Sequence, residues 1–474
     1  MKKYSLLLLL ISFYVSVAFS QGAHYWTESF GARSMLLNGT VIGSVQDLGA
    51  VYYNPARISQ MESPAFVISG QVYELKNTRI ENGLGDGLDA EDSEFGSGPS
   101  LVSGTFKLGF LPGHHFAYSF LTRTNNSANY SFETEEFGDF VEGFPGDEYL
   151  SGELVISSQT KDEWIGLSWS YPISEKFSVG ASLFYSALDR DTELKLQLQS
   201  YSPALSTTGM YIEKRAYKFE SSSVIGKIGM SWKTEGATFG FSMTVPRLQV
   251  SGKGSTGYET FFAGIDTTGD GNTNDVYIIN NQEDLDSKYK SPFSIGIGTG
   301  IEIGKRSILH LSSEWFSAIP YYTILKSDPF DGQSTGETLA FEVVEDLGSV
   351  LNAGLGLEVF LNDHVSLFGS LATDFSAMDA DPRRLTELGG VLNNTTFRSD
   401  IWHFGFGTDI KTKFADLTLG ATYAKSQEKI ARNLSIEDGQ DPVTQDATIF
   451  YNRWRFIVGF SFPFLDKIKD SQGE

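Results

Sequence analysis

The sequence contains no cysteine, which excludes disulfides and thiolate-bound metal ions. It also lacks a basic excess: the formal net charge is −23, whereas a nucleic-acid partner requires a basic face to meet its phosphates. Beyond the amino terminus no segment reaches about 18 uninterrupted apolar residues, so a helical membrane protein is excluded as well. These absences are compatible with a β-barrel, because barrel strands place only alternate residues in lipid.

The amino terminus has the pattern of a secretory signal peptide. A basic start at Lys2 is followed by an apolar run over residues 6–18. Ala18 and Ser20 are small residues at the positions that precede a cut before Gln21. We therefore expect residues 1–20 to be removed, and the absence of cysteine after the cut excludes a lipid anchor.

From about residue 64 onward, apolar residues alternate with small or polar ones. Ile295 and Ile297, for example, share one face of a strand, while Gly296 and Gly298 share the other. About fourteen such segments occur, an even number, as bacterial outer-membrane barrels require. They begin near residues 64, 98, 114, 150, 176, 211, 236, 286, 306, 346, 364, 399, 415 and 446. The pattern predicts an all-β fold, a transmembrane antiparallel β-barrel of about fourteen strands.

The connections between these segments fall into two alternating classes. Tight turns are predicted at 111–113, 172–175, 233–236, 304–306, 362–364 and 412–414, and long acidic loops at 82–98, 133–148, 254–286 and 379–398. Short periplasmic turns and long extracellular loops are typical of outer-membrane barrels, so we predict that location and orientation. A β-sandwich would not sort its connections by length, and a propeller would repeat every 40–50 residues or so, which this sequence does not.

The segment before the first strand carries the most specific motif. It contains Gly31-Ala32-Arg33-Ser34-Met35 and ends in Tyr53-Asn54-Pro55-Ala56. It resembles the N-terminal hatch of the FadL/TodX family, outer-membrane transporters of long-chain fatty acids and aromatic hydrocarbons. The resemblance implies a hatch over residues 21–63 inside a barrel over 64–464, with a polar periplasmic tail over 465–474. A barrel of fourteen strands is wide enough to hold such a plug.

The resemblance implies substrate gating by Asn54, Pro55 and Ala56, because in the family the hatch contacts a distorted wall strand and ligand leaves sideways through the gap. A simple turn at the end of the hatch also explains Asn54-Pro55. The chain departs from the family at Arg57, where members usually carry glycine. The weak β-formers at 125–129 are a candidate for the distortion, or for the top of the third strand entering its loop. We expect the second.

One acidic loop offers oxygen ligands at alternate positions around a glycine, like the start of an EF-hand loop. The predicted calcium ligands are Asp266, Thr268, Asp270, Asn272, Asn274 and Asp275. Tyr277 stands where the closing glutamate of such a loop would be. An acidic, solvated turn explains the same residues. A structural calcium ion is therefore one of two interpretations, and the sequence requires no cofactor.

Catalysis has little support in the sequence. The pairs His310/Ser312 and His364/Ser366 have the spacing used by barrel phospholipases, but neither has a matching asparagine or a surrounding motif. We predict that the protein is not an enzyme.

Two functions fit these features. In the first, a passive transporter takes hydrophobic small molecules from the extracellular mouth through a lumen pocket and past the hatch, within outer-membrane lipid. In the second, a PorV-like barrel of the same family binds partners or shuttles cargo in type IX secretion. An apolar path through the lumen favours transport, whereas a polar and fully blocked lumen favours the secretion role.

Overall fold

The computed structural model describes residues 23–61, 64–83, 87–141, 143–266, 272–273, 275–378, 390–392, 399–434 and 443–463. The predicted signal peptide and periplasmic tail lie outside these residues, as do the predicted calcium ligands Thr268, Asp270 and Asn274. The division into hatch and barrel stays a prediction. No described helix is long and apolar enough to cross a membrane.

The described strands fall into one large sheet and two small ones. They are β1 (Pro64–Glu81), β2 (Ala90–Phe106), β3 (His115–Gly138), β4 (Glu148–Pro172), β5 (Phe177–Ser202), β6 (Thr207–Thr234), β7 (Ala237–Thr244), β8 (Leu248–Ala263), β9 (Val276–Asp286), β10 (Ser294–Ile303), β11 (Ser307–Phe316), β12 (Ile319–Lys326), β13 (Phe330–Asp331), β14 (Thr338–Leu339), β15 (Glu342–Leu347), β16 (Val350–Phe360), β17 (Val365–Asp374), β18 (Gly390–Leu392), β19 (Ile401–Lys411), β20 (Asp416–Leu434) and β21 (Val443–Pro463).

Fourteen of these strands form one closed antiparallel barrel, which confirms the predicted architecture. The barrel consists of β1–β7, β10, β11, β16, β17, β19, β20 and β21, and it closes through the pairing of β5 with β6. The predicted alternation sets the two faces. Leu183, Ile297 and Leu351 point outward and are 61, 59 and 55% exposed. Many of the residues that point into the lumen are small and polar, such as Ser182 and Ser312.

The short turns lie where the sequence places them, but the long connections differ from the prediction. Much of 82–98, 133–148 and 254–286 is strand: β3 continues to Gly138, β4 begins at Glu148, and β8 and β9 form a hairpin. Beyond the lipid-facing band both faces of a strand meet water, so apolar alternation stops while backbone pairing continues. Loss of alternation therefore marks the edge of the membrane band rather than the end of the strand.

The additional strands lie at the end of the barrel opposite the short turns. β8 pairs with the first half of β6, while the second half of β6 pairs with β7 inside the barrel wall. β12, β15 and β18 form a separate sheet, and β13 pairs with β14. Apolar side chains of β12 and β15 pack against Leu188 and Phe219 of the long strands β5 and β6.

The third strand is distorted, but not at the predicted position. Residues 125–129 pair regularly with β4, so neither the expected loop nor a break occurs there. The register shift lies between Thr122 and Thr124, which makes Arg123 the bulged residue. Arg123 donates to the carbonyl of Tyr25 at 3.0 Å, and this contact holds the bulge toward the lumen.

Candidate functional site

The N-terminal segment, residues 23–61, lies in the lumen and is nearly all buried. It contains two short helices, α1 (Ala32–Leu36) and α2 (Ala50–Tyr53), followed by a 3-10 helix over Pro55–Gln60. Helices this short have little stability of their own, so packing against the barrel wall must hold them.

Inward-facing glycines make room for this segment. A Cβ at Gly240 would lie 2.2 Å from the carbonyl oxygen of Ile42, and one at Gly298 would lie 2.7 Å from the amide of Gly43. The same close approach recurs around the wall at Gly180, Gly354, Gly405 and Gly459. The small residues that alternate along the strands are thus the surface on which the N-terminal segment packs.

The predicted gating residues lie in this packed region, against β4, β5 and β6. The Asn54 amide group donates to the carbonyls of Ile42 and Met230, both at 2.9 Å, and its oxygen accepts from the amide of Ala56 at 3.2 Å. The Ala56 carbonyl accepts from the hydroxyls of Ser170 and Ser178. The lumen cavity described below is not lined by Asn54, Pro55 or Ala56. Their contacts are those of an anchor, and gating stays a prediction.

Buried charged groups fix the beginning of the N-terminal segment. Asp374 of β17 accepts hydrogen bonds from the amides of Tyr25 and Trp26, both at 2.9 Å, and from the Thr27 hydroxyl at 2.7 Å. Arg453 and Arg455 of β21 donate to the Thr27 carbonyl at 2.8 and 3.1 Å. Groups from two strands that lie three places apart in the barrel wall therefore bind the same short stretch of chain.

The first His-x-Ser pair also binds the N-terminal segment. His310 Nδ1 lies 2.7 Å from the Ser44 hydroxyl, and Ser312 accepts from the amide of Ile42 at 3.0 Å. His310 also lies 3.5 Å from Glu358, which forms an ion pair with Arg33. His310 is almost fully buried and does not line the lumen cavity described below. The spacing therefore has a structural explanation.

A cavity of about 110 Å³ lies in the lumen between the N-terminal segment and the long strands. Its aromatic lining includes Tyr52, Trp164, Phe184 and Phe316, which come from four separate elements. Its charged lining comprises Arg123, Asp162, Lys227, Arg247, Lys290 and Glu314. This combination suits a molecule with an apolar body and a polar end.

The charged groups of this cavity differ in how they are paired. Arg247 and Asp162 form a buried ion pair at 3.0 Å. Lys227 is 5% exposed, and its Nζ lies 4.4 Å from the centre of the Tyr52 ring. Among the described residues no ion pair or hydrogen bond is made by Lys227, and the indole N–H of Trp164 also has no acceptor. The cavity therefore presents the amino group of Lys227 and the indole N–H of Trp164 without a hydrogen-bond partner.

Backbone pairing in the barrel wall is interrupted beside this cavity, and we call this interruption the wall opening. β2 and β3 pair only from Phe106–Phe116 up to Leu101–Leu121, although each strand continues well beyond that point. Side chains bridge the separation: Lys76 of β1 binds Glu94 of β2 at 2.5 Å and Asn126 of β3 at 3.1 Å. The bulged Arg123 and its neighbour Thr124 line the cavity where the pairing stops. The cavity and the opening in the wall are thus adjacent.

A hydrogen bond from a side chain to the backbone joins the two ends of the predicted calcium loop. Asp275 accepts from the amide of Gly264 at 3.1 Å, across the base of the loop. No group of three or more acidic, histidine or cysteine residues suited to a metal ion occurs in the described ranges. Calcium binding therefore stays a prediction.

Sequence reasoning missed the cavity residues Arg123, Trp164 and Lys227. Its position in the alternation could have revealed Lys227. It is a charged residue at an inward position of a membrane-spanning strand, between outward-facing Gly226 and Ile228. A charge at such a position faces the lumen. Which inward residues meet each other depends on the register of distant strands.

Neither a family model nor a curated protein matches the chain in sequence. Solved structures of similar fold do. The toluene transporter TodX of P. putida has a TM-score of 0.56 at 12% identity, covering 92% of this chain and 99% of that one. A FadL homologue of Pseudomonas aeruginosa has a TM-score of 0.55 at 12% identity, covering 93 and 100%. The monoaromatic hydrocarbon channel CymD has a TM-score of 0.53 at 12% identity, covering 92 and 98%. The chain therefore has the fold of the FadL and TodX channels.

Proposed function

We propose that this protein is a passive outer-membrane transporter of hydrophobic molecules that carry an acidic group, such as long-chain fatty acids. The observation that carries this proposal is the buried, unpaired Lys227 in an aromatic cavity beside the wall opening. A buried ammonium group that makes no hydrogen bond or direct ion pair is costly, and a bound carboxylate would reduce that cost.

We propose the following route. A molecule enters at the end of the barrel formed by the long strands, and its chain packs on Trp164 and Phe184 while its acidic group meets Lys227. It leaves through the opening between β2 and β3 into the lipid. The N-terminal segment, acting as the hatch and held by Asn54, seals the lumen below. No energy input is needed, because each step is binding or diffusion.

The test is uptake of labelled oleate by cells that lack their own fatty-acid transporter, with and without this protein, after surface exposure has been verified. Labelled toluene serves as a neutral comparison. Oleate uptake that depends on the protein supports transport of acidic molecules, whereas uptake of toluene alone supports a hydrocarbon channel. A correctly inserted barrel that takes up neither would support the secretion role instead.

A further inference from the structure

The long strands carry an exposed row of aromatic side chains far from the lumen. Phe137, Tyr149 and Tyr201 are direct neighbours on β3, β4 and β5, and we call them the aromatic row. All three point outward and are 57, 58 and 44% exposed. The rings of Phe137 and Tyr149 lie 4.6 Å apart.

The aromatic row stands outside the lipid-facing band. On β5 the outward positions are apolar up to Ala187 and charged at Asp189 and Asp191. Tyr201 lies a further fourteen residues beyond Ala187, roughly 45 Å along an extended strand. An interfacial girdle would lie at the edge of the band, so these rings need another explanation.

A polar groove of about 280 Å³ runs directly below the aromatic row. It is lined by Glu133, Glu135, Ser151, Glu153, Gln197 and Gln199. Across the strands, Glu135 faces Ser151, and Ser151 faces Gln199. Among the described residues these lining side chains make no hydrogen bond or ion pair. Their acceptors and amide donors are free to bind a ligand.

We propose that the aromatic row and this groove bind the neutral polysaccharide chains of the membrane's own outer leaflet. Aromatic faces attract the C–H faces of sugar rings, and the carboxylates and amides bond their hydroxyls. No lysine or arginine lines the groove, so phosphorylated sugars are disfavoured. The surface faces sideways and continues the lipid-facing wall, where neighbouring glycolipids stand.

This inference rests on the proposed outer-membrane setting but not on transport. The full-length protein is folded in detergent, and its migration is measured in gels that contain lipid-free polysaccharide, phosphorylated core sugars or lipid A. We expect retardation by the neutral polysaccharide. It should weaken about tenfold or more in the Phe137→Ser/Tyr149→Ser/Tyr201→Ser variant and stay unchanged in a Leu205→Ser control. Retardation that is equal in both variants, absent, or confined to lipid A or core sugars would overturn the proposal.

A second experiment tests in cells whether the aromatic row contacts the polysaccharide of the outer leaflet. A photo-crosslinking phenylalanine at position 149 should yield a ladder of polysaccharide-bearing products that collapses in a strain without the polysaccharide. A discrete protein product would instead identify a protein-binding surface and contradict the proposal. Oleate uptake measured on the same variants separates the two questions, because the aromatic row lies outside the lumen. A protein that binds the polysaccharide but takes up no oleate would contradict the proposed transport and leave the polysaccharide proposal standing.

Discussion

The Asp374 carboxylate accepts a 2.7 Å hydrogen bond from the Thr27 hydroxyl, and so joins β17 to the first residues of the N-terminal segment. Two backbone amides, those of Tyr25 and Trp26, bind the same carboxylate. We expect Asp374→Asn to weaken this attachment by about 2 kcal/mol, since charge-assisted bonds are the stronger class. Proteoliposomes should become leaky to small sugars. Asp363→Asn, in an exposed turn, is the control. If proteoliposomes of Asp374→Asn leak no more than those of the control, the attachment role is contradicted.

Asn54 is the second attachment point, and it binds carbonyls of two separate elements. Asn54→Ala should leave the carbonyls of Ile42 and Met230 unpaired, at a cost of about 1–3 kcal/mol each. We expect leakage together with lower oleate uptake. Gln46→Ala changes an exposed residue of the same segment and should have neither effect. Normal uptake and a sealed lumen in Asn54→Ala would remove the gating prediction.

Lys227 is expected to select acidic molecules. Lys227→Met keeps the length of the side chain and its packing against Tyr52 but removes the charge. Oleate uptake should fall about tenfold or more, corresponding to the loss of one charged hydrogen bond, while toluene permeation should be unchanged or higher. Lys233→Met, at the exposed end of the same strand, is the matched control. Equal loss for oleate and toluene would indicate general damage and refute selection by charge.

The opening between β2 and β3 can be closed covalently. Thr122 Oγ1 lies 3.4 Å from the Pro99 carbonyl where the ladder stops, and the chain has no other cysteine to interfere. In Pro99→Cys/Thr122→Cys, oxidation should abolish oleate uptake and reduction should restore it. The control pair Thr105→Cys/Ala117→Cys lies opposite in the closed part of the ladder. Uptake that persists with the Pro99–Thr122 pair oxidised would rule out sideways exit.

The acidic loop between Gly264 and Val276 provides a test of calcium binding. If calcium binds, proteolysis of this loop should slow by about tenfold or more when calcium is in large excess over its dissociation constant. Asp270→Ala should abolish the protection, whereas Asp286→Ala, on exposed β9, should not. Equal cleavage in calcium and in chelator would favour the solvated turn.

The sequence determined the barrel because period-two alternation is a local property of each strand. Fourteen strands, their short turns and the glycine-rich inward face all follow from residues that are close along the chain, such as Ile295, Gly296 and Ile297. The upper ends of β3, β8 and β9 could not be predicted in this way, because a strand with water on both faces needs no alternation.

Only the tertiary structure decided what lies in the lumen. Lys227, Trp164 and Tyr52 come from β6, β4 and the N-terminal segment, and they meet because of strand register and the way that segment packs. The wall opening depends on where two neighbouring strands stop pairing, near Leu101 and Leu121. Both features are set by contacts between residues far apart in the chain, and local sequence patterns carry no record of such contacts.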